Sequence, residues 1–203
     1  MVVVVMGVAG SGKTTVGSAL AVARGWRFVD ADDVHAPASV AKMARGEALT
    51  DADRAPWLAR LRALIVDALA QNTPLVLACS ALKAAYREAL VDGDGARTRV
   101  VHLAATPALL RHRLEARPGH YMKATMLEGQ LATLEAPADL LQNPRTGSEP
   151  PGPTPRRQTC TGTPAMRSDE ASSSSRDAAL TLDASLPVAT LVAALETALG
   201  LSA

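Results

Sequence analysis

Residues 7–14 read GVAGSGKT and match the pattern G-x-x-x-x-G-K-[ST]. The apolar run VVVVM at residues 2–6 precedes them and is typical of a strand buried on both faces. From Thr14 the apolar residues recur at helical spacing until Gly25. Strand, glycine loop and helix follow in the order that a phosphate-binding loop requires. The sequence therefore predicts a P-loop that binds a nucleoside triphosphate.

Each part of this loop has a predicted task. Glycines let backbone N–H groups turn toward phosphates, and the helix N-terminus adds a positive dipole end. Lys13 is expected to reach the β and γ phosphates of ATP, and the Thr14 hydroxyl to ligate Mg²⁺. The expected nucleotide contacts within the loop are Gly7, Val8, Ala9, Gly10, Ser11, Gly12, Lys13, Thr14 and Thr15.

The remainder of the chain alternates strand and helix patterns. Four further strands are predicted, at residues 26–30, 75–79, 99–104 and 179–183, with amphipathic helices between them. Such alternation is typical of an α/β protein with a parallel sheet. We predict a P-loop NTPase fold with a five-stranded parallel sheet flanked by helices. One of these helices follows Thr50 and Asp53, which have capping-box spacing.

Composition limits the classes of partner. The chain has 203 residues, 48% of them hydrophobic, which suits a single domain with one good core. A net charge of +1 and an aromatic content of 2% argue against nucleic acid and membrane surfaces. Two cysteines form neither a disulfide framework nor a metal motif, and the apolar start is too short for a signal peptide. A cytoplasmic protein is expected.

Carboxylates end the second predicted strand. Asp30 and Asp32 lie where open α/β sheets bind ligands, at the carboxyl ends of the strands. One could hold a metal-bound water while the other orients an acceptor hydroxyl or takes its proton. Ordinary solvated carboxylates or helix caps are the alternative. His35 could contact substrate, cap a helix or pack.

Two pairs of basic residues could contact phosphate or substrate. Arg113 and Arg117 lie on one face of a helix that breaks at Pro118, which resembles a mobile lid over the transferring phosphoryl group. Arg117 could instead complement the helix dipole. Lys83 and Arg87 are four residues apart and could simply form a solvated helix face. Lys83 is favoured because it closely follows a strand end.

One segment does not fit a packed domain. More than half of residues 144–175 are Pro, Gly, Ser or Thr, and none is Leu, Ile, Val or aromatic. Such a composition predicts disorder, because burial cannot offset the ordering entropy. We interpret residues 140–177 as a tolerated surface insertion. A gene-prediction artefact, or a regulatory loop with Thr154 and Thr163 as modification sites, are the alternatives.

Four blocks of sequence together resemble the gluconokinases, a shikimate kinase-like group with a nucleoside monophosphate kinase-like fold and a helical lid. The blocks are DADDVH at 30–35, KMARGEALTDADRAPWL at 42–58, LACSALKAAYR at 77–87 and RLEARPGHYMKATMLEGQLATLEAP at 113–137. The resemblance implies transfer of phosphate from ATP to D-gluconate with Mg²⁺, and often a homodimer. The chain departs from the family at Leu131, where phenylalanine is frequent, and in its long 140–177 segment.

The resemblance also implies roles for individual residues. Lys13, Asp32 and Arg117 would be catalytic, and Arg113 and Arg117 would contact ATP from the lid. Thr14 and, through water, Asp30 would hold the metal. The acceptor would be surrounded by Asp32, His35, Lys42, Arg54, Lys83, His120 and Gln130. Asp53 stays ambiguous, because the capping box alone explains it.

The resemblance divides the expected single kinase domain into regions. An acceptor-binding helical region would span about residues 33–70, the lid about 107–137, and the last strand and helix about 178–200. Two other functions are left open by the residues alone. The chain could phosphorylate another hydroxy acid or polyol such as shikimate, or it could be a non-catalytic nucleotide-binding module.

Overall fold

The computed structural model describes residues 1–116, 124–139 and 178–201. The strands are β1 (Val2–Met6), β2 (Arg27–Asp30), β3 (Leu75–Ala78), β4 (Thr98–Ala104), β5 (Ala138–Asp139) and β6 (Ala178–Asp183). The helices are α1 (Lys13–Arg24), α2 (Pro37–Ala44), α3 (Asp51–Ala70), α4 (Ala84–Val91), α5 (Pro107–Glu115), α6 (Ala124–Thr133) and α7 (Val188–Ala198). A 3₁₀ turn, Ala31–Val34, follows β2.

All strand pairs are parallel, and the sheet order is β2-β3-β1-β4-β6-β5. The five predicted strands are confirmed to within a residue at each end. The additional strand, β5, has only two residues and pairs with the start of β6. So short a strand leaves no hydrophobic pattern in the sequence.

The central strand β1 supplies both faces of the sheet. Val2, Val4 and Met6 belong to a core that includes Leu61 of α3, whereas Val3 and Val5 belong to a second core with α1 and α7. All five β1 residues are buried. Burial on both faces explains the unbroken apolar run from which a central strand was predicted.

The predicted capping box at the start of α3 is confirmed. The Asp53 backbone N–H donates to the Thr50 hydroxyl at 3.2 Å, and the Thr50 N–H donates to the Asp53 carboxylate at 2.7 Å. These bonds fix the beginning of α3, and with it the adjacent Asp51 and Arg54.

The segment between β3 and α4 differs from its sequence interpretation. Lys83 has an extended backbone and is the N-cap of α4, and Ala81 before it has a left-handed φ of 43°. Arg87 is buried, and its guanidinium donates to the carbonyls of Ala81 and Leu82 at 3.0 and 3.1 Å. The alternative of a solvated helix face is therefore wrong for Arg87, because its guanidinium is buried and hydrogen-bonds the carbonyls of this turn.

Within the described part of the chain, no helix is both long and apolar enough to cross a membrane. Residues 117–123, with the helix break predicted at Pro118, and the segment 140–177 lie outside the described residues.

Candidate active site

The phosphate loop joins β1 to α1 at the carboxyl edge of the sheet. Gly7, Gly10 and Gly12 all have positive φ values, which L side chains rarely adopt. A Cβ atom at Gly7 would also come within 2.7 Å of the Ser11 hydroxyl oxygen and 2.9 Å of the Leu103 carbonyl oxygen. The first glycine of the motif is therefore required by the backbone conformation and by the lack of space around it.

One peptide unit of the loop is held at both ends. The Val8 carbonyl oxygen accepts hydrogen bonds from the Lys13 ammonium at 3.1 Å and from the Ser11 N–H at 3.2 Å. On the other side of the same peptide, the Ala9 N–H donates to Oε1 of Gln130 at 2.7 Å. The family resemblance predicted that Gln130 contacts the acceptor. In the structure, the side-chain amide of Gln130 is bonded to the phosphate loop.

Asp30 connects the loop to the end of β2. The Thr14 hydroxyl donates to Oδ2 of Asp30 at 2.7 Å, and the Asp32 N–H donates to Oδ1 at 3.0 Å. Asp30 is thus the cap of the 3₁₀ turn, as the alternative interpretation held, and it also contacts the P-loop threonine. A hydroxyl and a carboxylate oxygen are ligands that Mg²⁺ accepts, so this pair fits the metal that the sequence predicted.

The Thr14 hydroxyl and the Asp30 carboxylate suit Mg²⁺ better than they suit a metal ion whose ligands are all protein side chains. Across residues 1–116, 124–139 and 178–201, no group of three or more His, Cys, Asp or Glu residues could hold a metal ion. Mg²⁺ usually keeps several waters and needs only one or two protein ligands when phosphates complete its shell. Thr14, with Asp30 acting through a water, would be sufficient.

Asp32 has the electrostatics of a proton acceptor. Water reaches its side chain, but the surrounding protein desolvates the carboxylate and raises its pKa, and the charge of Asp30 raises it further. Lys13 and His35 oppose this increase. A carboxylate with a raised pKa is a stronger base and can take a proton from a substrate hydroxyl.

His35 lies beside Asp32 and is held by an aromatic neighbour. Its ring stacks on Trp57 with centroids 4.5 Å apart and planes 6° from parallel. The Trp57 indole N–H donates to the Ala31 carbonyl at 2.8 Å. Desolvation lowers the pKa of His35, and Arg54 and Arg60 lower it further against the pull of Asp32. The imidazole is therefore neutral near pH 7, with a buried Nδ1 that makes no hydrogen bond to the described residues.

A cluster of charges forms where α3 and α4 begin. Asp51 accepts hydrogen bonds from the Lys83 ammonium at 2.8 and 2.9 Å and from the Tyr86 hydroxyl. The Arg54 guanidinium lies 3.8 Å from the same carboxylate. Lys83 and Arg54 also lie 5.5 and 6.0 Å from the centre of the Tyr86 ring. We call Asp51, Arg54, Lys83 and Tyr86 the cation cluster.

The proton equilibria of two members of the cation cluster, Asp51 and Lys83, favour their charged forms. Hydrogen bonds from Lys83 and then Tyr86 lower the pKa of Asp51, and the bond to Asp51 raises the pKa of Lys83. Lys42 makes a separate ion pair with Asp53 at 2.7 Å, so Asp53 both caps α3 and holds a predicted substrate residue. Two predicted acceptor residues, Arg54 and Lys83, are therefore brought together, and Lys42 is tied to the same helix start.

Both sides of the predicted lid contact the phosphate loop where they are described. Arg113 of α5 donates to the Ala184 carbonyl at 2.7 Å and to the Gly10 carbonyl at 3.5 Å. Gln130 of α6 holds Ala9, as described above. The other predicted lid residues, Arg117 and His120, lie outside the described residues.

Sequence reasoning missed several residues that build the site. Asp51, Trp57, Tyr86 and Glu135 were given no substrate role, although Asp51 organises the cation cluster and Trp57 positions His35. The Glu135 carboxylate accepts from the Ala84 N–H at 2.6 Å and so caps α4 from the chain beyond α6. The spacing of Thr50 and Asp53 located the start of α3. No local pattern, however, could pair Asp51 with Tyr86, 35 residues later, or Ala84 with Glu135, 51 residues later.

Comparisons with known proteins agree with this geometry. Residues 2–138 match a family described as an AAA domain. A gluconokinase from Gluconobacter oxydans (strain 621H) is 49% identical over 136 residues, covering 67% of this chain and 76% of that protein. A crystal structure of a gluconokinase from Sinorhizobium meliloti 1021 superposes with a TM-score of 0.69 at 32% identity, covering 98% of this chain and 90% of that one.

A sugar kinase from Janibacter sp. HTCC2649 superposes with a TM-score of 0.71, also at 32% identity. That match covers 97% of this chain and 92% of the other. The family match ends at residue 138, immediately before the segment 140–177 that was interpreted as an insertion.

Proposed function

The chain belongs to the gluconokinase family, and we propose that it transfers the γ-phosphoryl group of ATP to D-gluconate, forming 6-phospho-D-gluconate and ADP. One observation carries the proposal beyond family membership. The P-loop threonine is bonded to the carboxylate that ends β2, and Asp32, with its raised pKa, follows two residues later. The positions proposed for the nucleotide, the metal and the general base thus lie at one edge of the sheet.

The transfer step uses the chain's own residues as follows. Loop N–H groups and Lys13 bind the ATP phosphates, and Lys13 offsets charge on the transferring group. Asp32 takes the proton of the acceptor hydroxyl while the oxygen of that hydroxyl forms a bond to the γ phosphorus. The bond from that phosphorus to the ADP oxygen then breaks, so ADP leaves and Asp32 later releases the proton. Mg²⁺ at Thr14 and, through water, at Asp30 would neutralise phosphate charge.

The acceptor requires cations for its carboxylate and hydrogen-bonding groups for its hydroxyls. Arg54 and Lys83 in the cation cluster, together with Lys42, would attract the carboxylate. The neutral His35, stacked on Trp57, would hydrogen-bond a hydroxyl through an imidazole nitrogen. Gluconate is a small polyol with one carboxylate, so it needs both kinds of group.

The remaining assignments complete the proposal. Arg113, Arg117 and His120 would act from the lid, with Arg117 contacting the transferring phosphoryl group. The chain would form one kinase domain that works in the cytoplasm, with a homodimer as its assembly. The acceptor region would span about residues 33–70, and the segment 140–177 would be an insertion without a catalytic task.

A substrate panel tests this function. Purified protein is incubated with ATP, Mg²⁺ and one candidate acceptor at a time, and ADP is measured by coupled oxidation of NADH. We expect gluconate to give the highest kcat/KM. If gluconate gives no signal above the ATP-only blank while shikimate or another hydroxy acid does, the assigned acceptor is wrong. If ATP binds but no acceptor is phosphorylated, the non-catalytic alternative is correct.

A further inference from the structure

The hydrogen bond between Gln130 and the phosphate loop suggests a task different from acceptor binding. Gln130 is 121 residues away from Ala9 along the chain, yet its Oε1 lies 2.7 Å from the Ala9 nitrogen. The carbonyl of the same peptide unit, that of Val8, accepts the Lys13 ammonium at 3.1 Å. A trans peptide is planar, so its N–H and C=O directions are fixed relative to each other. Turning the N–H away would also turn the carbonyl that holds Lys13.

Packing places Gln130 where it can hold this peptide. Leu127, one turn earlier on α6, is fully buried in a small core with Val8, Leu82 and Leu110. Residues three apart on a helix share a face, so the same face that anchors α6 presents Gln130 to the loop. Leu131 packs against this core as well. The helix is therefore attached to the phosphate loop by apolar contacts, and Gln130 adds one directional bond.

We propose that Gln130 is a positioning residue that fixes the Val8–Ala9 peptide and, through its carbonyl, the ammonium group of Lys13. This proposal takes one element from the proposed function, namely that Lys13 binds the ATP phosphates. Gln130 thus serves the nucleotide side of the reaction, and the acceptor is bound by other residues. Because α6 lies within the predicted lid, residues 107–137, the same bond connects the lid with the orientation of the P-loop lysine.

The variant Gln130→Met tests the role, because methionine keeps the length and helix preference but offers no strong acceptor. Without the bond, the Val8–Ala9 peptide should occupy the ATP-competent orientation about one tenth of the time, raising the Kd for ATP about tenfold. ATP affinity is measured by calorimetry with Mg²⁺ and no acceptor. The result therefore stands even if gluconate is not the substrate. Gln130→Ala provides a second variant and should change affinity in the same direction.

A double-mutant cycle separates positioning from general structural damage. If Gln130 acts through Lys13, then Gln130→Met in a Lys13→Ala background should change the Kd for ATP less than about twofold. Additive effects would show that the two residues act independently and would overturn the proposal. So would an unchanged ATP affinity in the single variant combined with a raised KM for gluconate, because that pattern assigns Gln130 to the acceptor.

Glu128→Gln is the matched control on the same helix. Its carboxylate is exposed and lies 3.7 Å from Arg111. Residues two apart on a helix do not share a face, so Glu128 and Gln130 lie on different faces of α6. We expect this variant to bind ATP like the unmodified protein. Equal losses in Glu128→Gln and Gln130→Met would mean that α6 as a whole, and not the Gln130 amide, governs affinity, and the proposal would fail.

Discussion

Replacing Trp57 by phenylalanine should weaken both the fold and the acceptor site. Trp57 is 3% exposed, and its indole N–H bonds at 2.8 Å to the carbonyl of Ala31, which is fully buried. Phenylalanine cannot donate this bond, and a buried carbonyl that loses its side-chain donor costs about 1–3 kcal/mol. The smaller ring leaves space that adds about 1 kcal/mol. The free energy of unfolding should therefore fall by about 2–4 kcal/mol, a large part of the roughly 5–15 kcal/mol of a typical domain.

The functional part of the same prediction concerns the turn that carries Asp32. With Ala31 released and the His35 stack altered, Asp32 and His35 lose their fixed positions, and kcat/KM for gluconate should fall about tenfold. The Kd for ATP should change little, because the polar and ring contacts of Trp57, with Ala31 and His35, lie in and beside the turn after β2 and not in the phosphate loop. Circular dichroism during urea unfolding measures stability by linear extrapolation, and steady-state kinetics measure the acceptor effect.

Trp26→Phe is the matched control, since Trp26 is only partly buried and packs on the core at the opposite face of the sheet. It should cost less stability and leave the kinetics for gluconate unchanged. A loss below about 0.5 kcal/mol in Trp57→Phe, within the range of ordinary surface substitutions, would refute the energetic reasoning. Equal kinetic losses in the two variants would refute the positioning of Asp32 by Trp57.

Three further predictions follow from individual residues. Lys13→Ala should lower kcat, by removing charge that stabilises the transferring phosphoryl group, and should also raise the Kd for ATP by about tenfold or more, because Lys13 binds the ATP phosphates; an unchanged kcat would exclude the first role. Asp32→Asn should abolish turnover yet raise the free energy of unfolding at pH 7, because a pKa above the ordinary 3.8 means that the folded protein disfavours the ionised carboxylate. This gain should shrink as the pH falls toward 3.8, and urea unfolding at several pH values would show a pH-independent difference if the reasoning is wrong. Deleting residues 144–175 should leave soluble expression and kcat/KM largely intact, and loss of soluble protein would mean that the segment packs against the domain.

The fold was predictable because its signals are local. Residues 2–6 are uniformly apolar since β1 is buried on both faces, and residues 7–14 need their glycines for positive φ values. Thr50 and Asp53 form the capping box that their spacing indicated. Each of these features depends on neighbours within a few residues, so the sequence alone reveals it.

The site was only partly predictable because its contacts are distant in sequence. Lys83 and Arg87 are four residues apart, so by spacing alone both could lie on a solvated helix face. In the structure, Arg87 is buried and donates hydrogen bonds to two carbonyls, including that of Ala81, whose φ is left-handed. Asp51 could not be linked to Tyr86, 35 residues later, until the starts of α3 and α4 were seen together. Similarly, nothing near Gln130 in the sequence indicates that its partner is Ala9.

Identification of the product shows directly whether this chain phosphorylates D-gluconate. The protein is incubated with ATP, Mg²⁺ and D-gluconate, and the mixture is then assayed with 6-phosphogluconate dehydrogenase and NADP⁺. We expect NADPH formation equal to the ADP released, and none when Asp32→Asn replaces the unmodified protein. ADP release without NADPH would place the phosphate elsewhere or assign it to water, and that result would contradict the proposed reaction.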